Sequence, residues 1–220
     1  MFEQIKAQWA AGKHEAAVVA LTKYLNNHPN DLDGYLLLAS FLTILQDFEQ
    51  AEPLLQKALV KFPQQPSLRY ALATLYYQAQ AYDKALPLFM ALRNDKETRE
   101  DATFMLGETY LQLNQPQRAL GYALTAAEMA PNKSDANVLV ADIMIQLQMF
   151  AQAQPYLAKA LQQCPDSAAL SFKYGLVMLV LGQDYHAYFA KARKLDEQYF
   201  NDHRQQLDDI IRFLNAQHKE

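Results

Sequence analysis

Residues 32–65 read LDGYLLLASFLTILQDFEQAEPLLQKALVKFPQQ, and this stretch decides the fold. Apolar side chains recur in it at i, i+3, i+4 and i+7, which is the spacing of one face of an α-helix. They form two blocks, the first with Tyr35, Leu38, Ala39 and Leu42 and the second with Ala51, Leu54, Leu55 and Ala58. Residues 45–47 separate the blocks, and Pro63 ends the second because proline cannot continue a helix interior. The stretch therefore predicts a helix–turn–helix repeat.

The same pattern returns every 34 residues along the chain. One column of small residues holds Ala17, Ala51, Ala85, Ala119, Ala153 and Ala187, and a second holds Ile5, Ala39, Ala73, Gly107, Ala141 and Gly175. Small side chains at a helix crossing let two backbones approach closely, and larger neighbours fill the remaining space. A fixed period of this length is typical of a solenoid. We expect repeats at roughly 1–31, 32–65, 66–99, 100–133, 134–167 and 168–197.

The second helix of the sixth repeat departs from this register. A strict period would bury Lys191 and Lys194, which is costly for charged side chains. A deletion of two residues near Asp184 instead places Phe189 and Ala192 in the core. We therefore predict that the repeat is shortened at this point.

The C-terminal residues predict a different element. Asn201 or Asp202 is suited to cap a helix, and an apolar stripe follows at Leu207, Ile210, Ile211 and Leu214. A solenoid would otherwise expose a core face at its end. We expect residues 198–220 to form a capping helix, with a homodimer contact through this helix as the alternative.

These columns resemble the tetratricopeptide repeat (TPR) family. The third repeat carries the pattern as Leu72, Ala73, Tyr76, Ala85 and Phe89, and the fourth as Leu106, Gly107, Tyr110, Ala119, Ala126 and Pro131. The resemblance covers residues 1–195. It implies an all-α fold, a right-handed α-solenoid (superhelix) of about six helix–turn–helix repeats plus the C-terminal capping helix. It also implies that the first helix of each repeat lines a concave groove.

The helix face opposite the buried one is the predicted groove surface. Residues of one phase recur there in every repeat, and several carry rings, which are typical of an interaction surface when exposed together. Acidic residues in the fourth and fifth repeats favour a ligand that combines apolar anchors with Lys or Arg. The predicted groove residues are Phe2, Trp9, Leu36, Ser40, Tyr70, Thr74, Tyr77, Phe104, Glu108, Gln112, Val138, Asp142, Gln146 and Phe172.

Composition narrows the class of function. The formal net charge is −4 without a run of Lys or Arg, which argues against nucleic acid binding. The apolar run from Leu176 to Leu181 is too short to span a membrane, and the N-terminal residues do not resemble a signal peptide, so we expect a cytoplasmic protein. The histidines are scattered, and Cys164 is the only cysteine.

The sequence therefore predicts no catalytic residue, no metal and no cofactor. The expected function is a scaffold that holds a partner protein or peptide. Two alternatives stay open: a structural module that self-assembles, and a small-molecule sensor or enzyme that uses the acidic groove.

The small-residue columns make a prediction about stability. The substitution Ala73→Phe should lower the free energy of unfolding by about 1–3 kcal/mol, because a closely packed helix crossing cannot take the added volume. Urea unfolding of the variant and the parent chain measures the difference. An unchanged midpoint would contradict the assigned crossing.

Overall fold

The computed structural model describes residues 2–217, and all of their regular structure is helical. Fourteen helices and no strand occur in this range, which confirms the all-α prediction. The helices are α1 (Phe2–Ala10), α2 (His14–Asn27), α3 (Leu32–Ile44), α4 (Phe48–Lys61), α5 (Pro66–Gln78), α6 (Tyr82–Leu92), α7 (Arg99–Gln112), α8 (Pro116–Met129), α9 (Ser134–Gln146), α10 (Phe150–Gln163), α11 (Ala168–Val180), α12 (His186–Leu195), α13 (Glu197–Asp202) and α14 (Arg204–Gln217).

Two compact units divide the chain, an N-terminal unit (Met1–Thr109) and a C-terminal unit (Tyr110–Glu220). In the N-terminal unit each helix from α1 to α6 packs on the next, and α3 also contacts α5. In the C-terminal unit the same stacking runs from α8 to α14, and α11 also contacts α13 and α14. This order of contacts is that of a helical solenoid, in which each helix pair packs on its neighbours.

The small-residue column lies at the centre of this packing. Five of its members, Ala17, Ala51, Ala85, Ala119 and Ala153, are completely buried.

The sixth member, Ala187, is exposed, so its predicted place in the column is wrong. Phe189 and Ala192 are buried instead, while Lys191 and Lys194 are exposed. The sixth repeat therefore has the predicted deletion, which keeps both ammonium groups in water.

The turn between the helices of each repeat uses one left-handed residue. These residues recur 34 positions apart and have φ between 54° and 75°: Gly12, Gln46, Gln80, Asn114, Gln148 and Gly182. The amide of the following residue donates to a carbonyl five residues earlier, as Gln183 N does to Met178 O at 2.9 Å. This bond satisfies a carbonyl that the helix end would leave unpaired. Because Gly182 keeps the period, the deletion lies after it.

The C-terminal segment differs from its prediction. It forms two helices, α13 and α14, where one was expected. The Asp196 carboxylate caps α13 by accepting from Tyr199 N at 2.8 Å, so the helix begins before the predicted caps. Asn201 and Asp202 lie in the last turn of α13, and the prediction that either caps a helix start is wrong. The predicted range ends at 220, and its last three residues lie outside the described part.

The left-handed turns give a test with a matched control. Gly182→Ala should lower the free energy of unfolding by about 1 kcal/mol, because an added Cβ has free space but the positive φ is unfavourable. Gly121 also has free space for a Cβ but lies inside α8, where alanine favours the helix more than glycine does. Gly121→Ala should therefore raise the free energy of unfolding by about 0.5–1 kcal/mol. Thermal or urea unfolding measures both. If Gly182→Ala left stability unchanged or raised it as Gly121→Ala should, backbone strain at Gly182 would be ruled out.

Candidate functional site

A cavity in the N-terminal unit has a volume of about 630 Å³ and lies along α3, α5 and the start of α7. Four predicted groove residues come together in its wall: Leu36, Ser40, Tyr70 and Thr74. The other lining residues are Ala39, Thr43, Ile44, Gln46, Ser67, Ala71, Gln78, Thr98 and Asp101. The wall thus combines aliphatic and aromatic surface with short hydroxyl and amide side chains, which is the usual composition of a binding pocket.

Local hydrogen bonds determine where α7 begins beside this cavity. The Asp95 carboxylate accepts from the amides of Glu97 and Thr98 and from Thr98 Oγ1, at 3.0–3.2 Å. The turn that results places Thr98 and Asp101 in the cavity wall. Asp101 is the one charged side chain among the lining residues of this cavity. A cationic group of a ligand would therefore meet a carboxylate at this end.

Tyr77 and Glu108 form a bridge between α5 and α7 in the same unit. The Tyr77 hydroxyl donates to Glu108 Oε2 at 3.1 Å, and both side chains are half-buried. The two residues are 31 positions apart, which is one helical turn less than the repeat. Tyr77 also packs edge-on against Tyr82, at 5.5 Å between ring centroids. Both predicted residues thus contribute to packing between repeats.

The remaining predicted rings of the N-terminal unit are half-buried. Trp9 stacks on Phe41 with 3.9 Å between ring centroids, and Phe2 meets Tyr24 edge-on at 5.1 Å. Both rings pack against the core, although the sequence placed them on an open face. Phe104 is half-buried as well.

The predicted acid of the fifth repeat is neutralised within the C-terminal unit. Lys173 Nζ of α11 lies 2.5 Å from Asp142 Oδ1 of α9. Asp142, one of the acidic residues expected to give the groove negative charge, is therefore paired with a cation of its own chain. Lys173 also follows its partner by 31 residues, which is the offset between Tyr77 and Glu108. Of the other predicted residues here, Gln112 and Gln146 are exposed, and Val138 is half-buried.

Phe172 is covered by the C-terminal helices, which contradicts its predicted place on an open surface. Only 2% of it is exposed, and its ring lies 6.1 Å from Tyr199 and 5.7 Å from Phe200 of α13. Leu207 of α14 belongs to the same cluster. The groove phase of the sixth repeat is wholly apolar, with Ala169, Phe172, Leu176, Leu179 and Val180, and this pattern could have revealed a covered face.

The described residues contain no group of three or more His, Cys, Asp or Glu side chains that could hold a metal ion. None of their helices has the length and apolar character needed to cross a bilayer.

Comparison with known proteins assigns the repeat. One tetratricopeptide repeat model matches residues 2–66 and 104–168, and another matches residues 42–100. The chain belongs to the tetratricopeptide repeat family. Proteins of this family generally mediate protein–protein interactions. No curated protein sequence matches the chain.

Solved TPR structures share the fold of the chain. PilF of Pseudomonas aeruginosa has a TM-score of 0.76 and 18% identity, over 93% of this chain and 95% of that one. YrrB, described as a TPR protein with an unusual peptide-binding site, has a TM-score of 0.63 and 22% identity, over 85% and 98%. MamA AMB-1 has a TM-score of 0.63 and 20% identity, over 74% and 98%.

Thr74 carries an unusual hydroxyl group in the cavity wall. Its Oγ1 is buried and has no hydrogen-bond partner. The other six threonines donate to main-chain carbonyl oxygens, as Thr43 does to Ala39 O at 2.7 Å. With Oγ1 buried, the accessible part of the Thr74 side chain is its methyl group.

This hydroxyl yields a stability prediction. Thr74→Val should raise the free energy of unfolding by about 1 kcal/mol, because it removes a buried group without a partner and keeps the shape of the side chain. Thr43→Val is the matched control and should give no gain, since it loses a hydrogen bond. Urea unfolding compares them. A loss of stability in Thr74→Val would show that this hydroxyl has a partner in solution.

Proposed function

We propose that the chain is a non-catalytic interaction module that holds a peptide or helix of a partner protein against α3, α5 and α7. The cavity beside these helices carries the proposal, because it is concave, mainly apolar and large enough for side chains of a partner. Leu36, Tyr70 and Ala71 offer apolar contact, and Ser40 and Gln78 offer hydrogen-bonding groups at its surface. The peptide-binding site named for YrrB supports a peptide as the ligand.

The charges of the wall favour a partner with Lys or Arg beside its apolar anchors. Asp101 lines the cavity, and Glu108 lies further along α7. Among the described residues that line this cavity, none is Lys or Arg. A carboxylate in a concave site attracts cations and guides their orientation more than it adds affinity. The proposed ligand is therefore an apolar segment with at least one basic residue. Its binding surface is the cavity wall that contains Leu36, Ser40, Tyr70 and Thr74.

Self-assembly is a second candidate function, and one exposed ring favours it. Phe213 of α14 is 62% exposed, beside the half-buried Ile210 and Leu214. An apolar helix edge of this kind is suited to a contact between two copies. Sedimentation of the parent chain and Phe213→Ser over a range of concentrations tests this candidate. A parent chain that stays monomeric at all concentrations would contradict it.

The groove assignment gives a binding prediction. Peptides selected from a displayed random library should carry apolar anchors with Lys or Arg, and Ser40→Arg should weaken their binding about tenfold or more by placing bulk and positive charge in the cavity. Ser40 is exposed, so the change leaves the core intact. The control is Val60→Arg, at an α4 site that is 84% exposed and away from the cavity. Fluorescence anisotropy measures both affinities. Equal binding by both variants would place the ligand elsewhere.

The role of Asp101 is tested separately. Asp101→Asn should weaken binding of a selected basic peptide several-fold, and the loss should shrink as salt is added because salt screens an exposed charge. A peptide whose Lys or Arg is replaced by Gln should bind both proteins equally. If the substitution weakened both peptides alike, Asp101 would act through local structure and not through its charge.

A further inference from the structure

A second cavity, of about 310 Å³, lies in the C-terminal unit between helices α9 and α11 and the terminal helices α13 and α14. Its volume is at the lower end of the range for small-molecule sites, which is about 300–1,000 Å³. One part of its wall is apolar, and another part is charged. Ile145, Leu176 and Val180 supply apolar surface, whereas Asp142 and Lys173 supply charge. It is separate from the cavity assigned above to a partner peptide.

The ion pair in this wall is partly buried. The side chains of Lys173 and Asp142 are 31% and 37% exposed. A partly buried ion pair contributes little net stability to the fold, because the cost of desolvating the two charges offsets the attraction between them. Its position beside a cavity therefore invites a functional explanation.

Charge balance limits which ligands this cavity can accept. Asp142 and Lys173 cancel, and no other Asp, Glu, Lys or Arg occurs among the described residues that line the wall. His203 also lines it, and its Nδ1 lies 2.8 Å from the main-chain oxygen of Tyr199. A ligand with a net charge would be desolvated without full compensation, which is unfavourable. A zwitterion avoids this penalty, because its ammonium can lie against the carboxylate and its carboxylate against the ammonium of the protein. The apolar wall requires an apolar tail on the same molecule.

We propose that this cavity binds a free α-amino acid with an apolar side chain. The ammonium group of the ligand pairs with Asp142, its carboxylate pairs with Lys173, and its side chain lies against Leu176 and Val180. The cavity volume equals that of about ten water molecules at ~30 Å³ each. This is enough for leucine, isoleucine, methionine or phenylalanine, and too little for a longer peptide.

The terminal helices supply polar groups beside this pair. Tyr199 of α13 lines the cavity, and burial, followed by the nearby Asp142 carboxylate, raises the pKa of its hydroxyl. The group therefore stays protonated at neutral pH and can donate a hydrogen bond. Gln206 of α14 lines the same cavity and adds an amide. A ligand here would thus contact α9, α11, α13 and α14 together.

This arrangement links ligand binding to the order of α14. Leu207 is the one α14 residue in the buried core of the described part, so few contacts of its own chain hold this helix. A ligand that binds only the folded arrangement stabilises it in proportion to its occupancy. Bound amino acid should therefore slow amide hydrogen exchange in residues 204–217 more than in the N-terminal unit.

The ligand is tested with leucine and analogues that each lack one feature. Calorimetry and thermal unfolding of the full chain should show saturable binding of leucine or phenylalanine at millimolar concentration or below. Isoamylamine lacks the carboxylate, isocaproate lacks the ammonium and glycine lacks the tail, and all should bind at least about tenfold more weakly. Leucyl-glycine separates a free amino acid from a peptide end and should also bind weakly.

Cavity variants locate the binding. Val180→Phe should fill the apolar end without touching the ion pair and weaken leucine binding about tenfold or more. Val60→Phe is the matched control at an exposed position of α4 and should leave the affinity for leucine unchanged. Lys173→Met and Asp142→Asn should each abolish the preference for leucine over isoamylamine or isocaproate.

Three results would overturn the proposal. The first is that no apolar amino acid binds the folded parent chain. The second is that isoamylamine or isocaproate binds as well as leucine. The third is that Val180→Phe, still folded by circular dichroism, binds leucine with the parent affinity. None of these measurements involves the partner peptide, so they do not depend on the function proposed for the N-terminal cavity.

Discussion

The close approach of helix backbones at small residues is the constraint on which the rest of the structure depends. Ala51, Ala85 and Ala153 are completely buried, so nothing larger fits at their positions without displacing a neighbour. The glycines show the same tightness. A Cβ at Gly175 would lie 2.9 Å from the Phe189 ring, and one at Gly34 would lie 2.8 Å from Leu25. Because this crossing recurs at one period, it also determines which face of each first helix is left without a helix partner.

The side chains on that remaining face give each unit a different site. Ser40 and Thr74 are short, so a cavity is left between α3 and α5 in the N-terminal unit. The equivalent residue of the sixth repeat is Leu176, which packs against the α13–α14 segment. A short side chain leaves room for a ligand, whereas an isobutyl group must be covered to leave water. One backbone arrangement thus provides an open cavity in one unit and a covered one in the other.

Bridges between neighbouring first helices modify the charge of this face. Tyr77 bonds to Glu108, and Lys173 pairs with Asp142, both with an offset of 31 residues. This separation is about one helical turn shorter than the repeat. Residues that contact each other on adjacent first helices therefore do not occupy equivalent positions in their repeats. Acidic residues at equivalent positions of successive repeats are therefore poor indicators of an acidic surface. The residue one helical turn away on the adjacent first helix, which can pair with them, has to be considered too.

The repeat period, the buried columns and the shortened sixth repeat could all be predicted from sequence, because small and apolar residues recur at spacings that only one helix arrangement satisfies. The left-handed turns at Gln46, Gln80 and Gln148 could not, since glutamine has no preference for positive φ and takes it only where the paired helices impose it. The pairing of Asp142 and the identity of the helices that cover Phe172 were decided by tertiary structure alone. Each depends on side chains from helices that are distant in sequence, and a pattern within one helix carries no record of them.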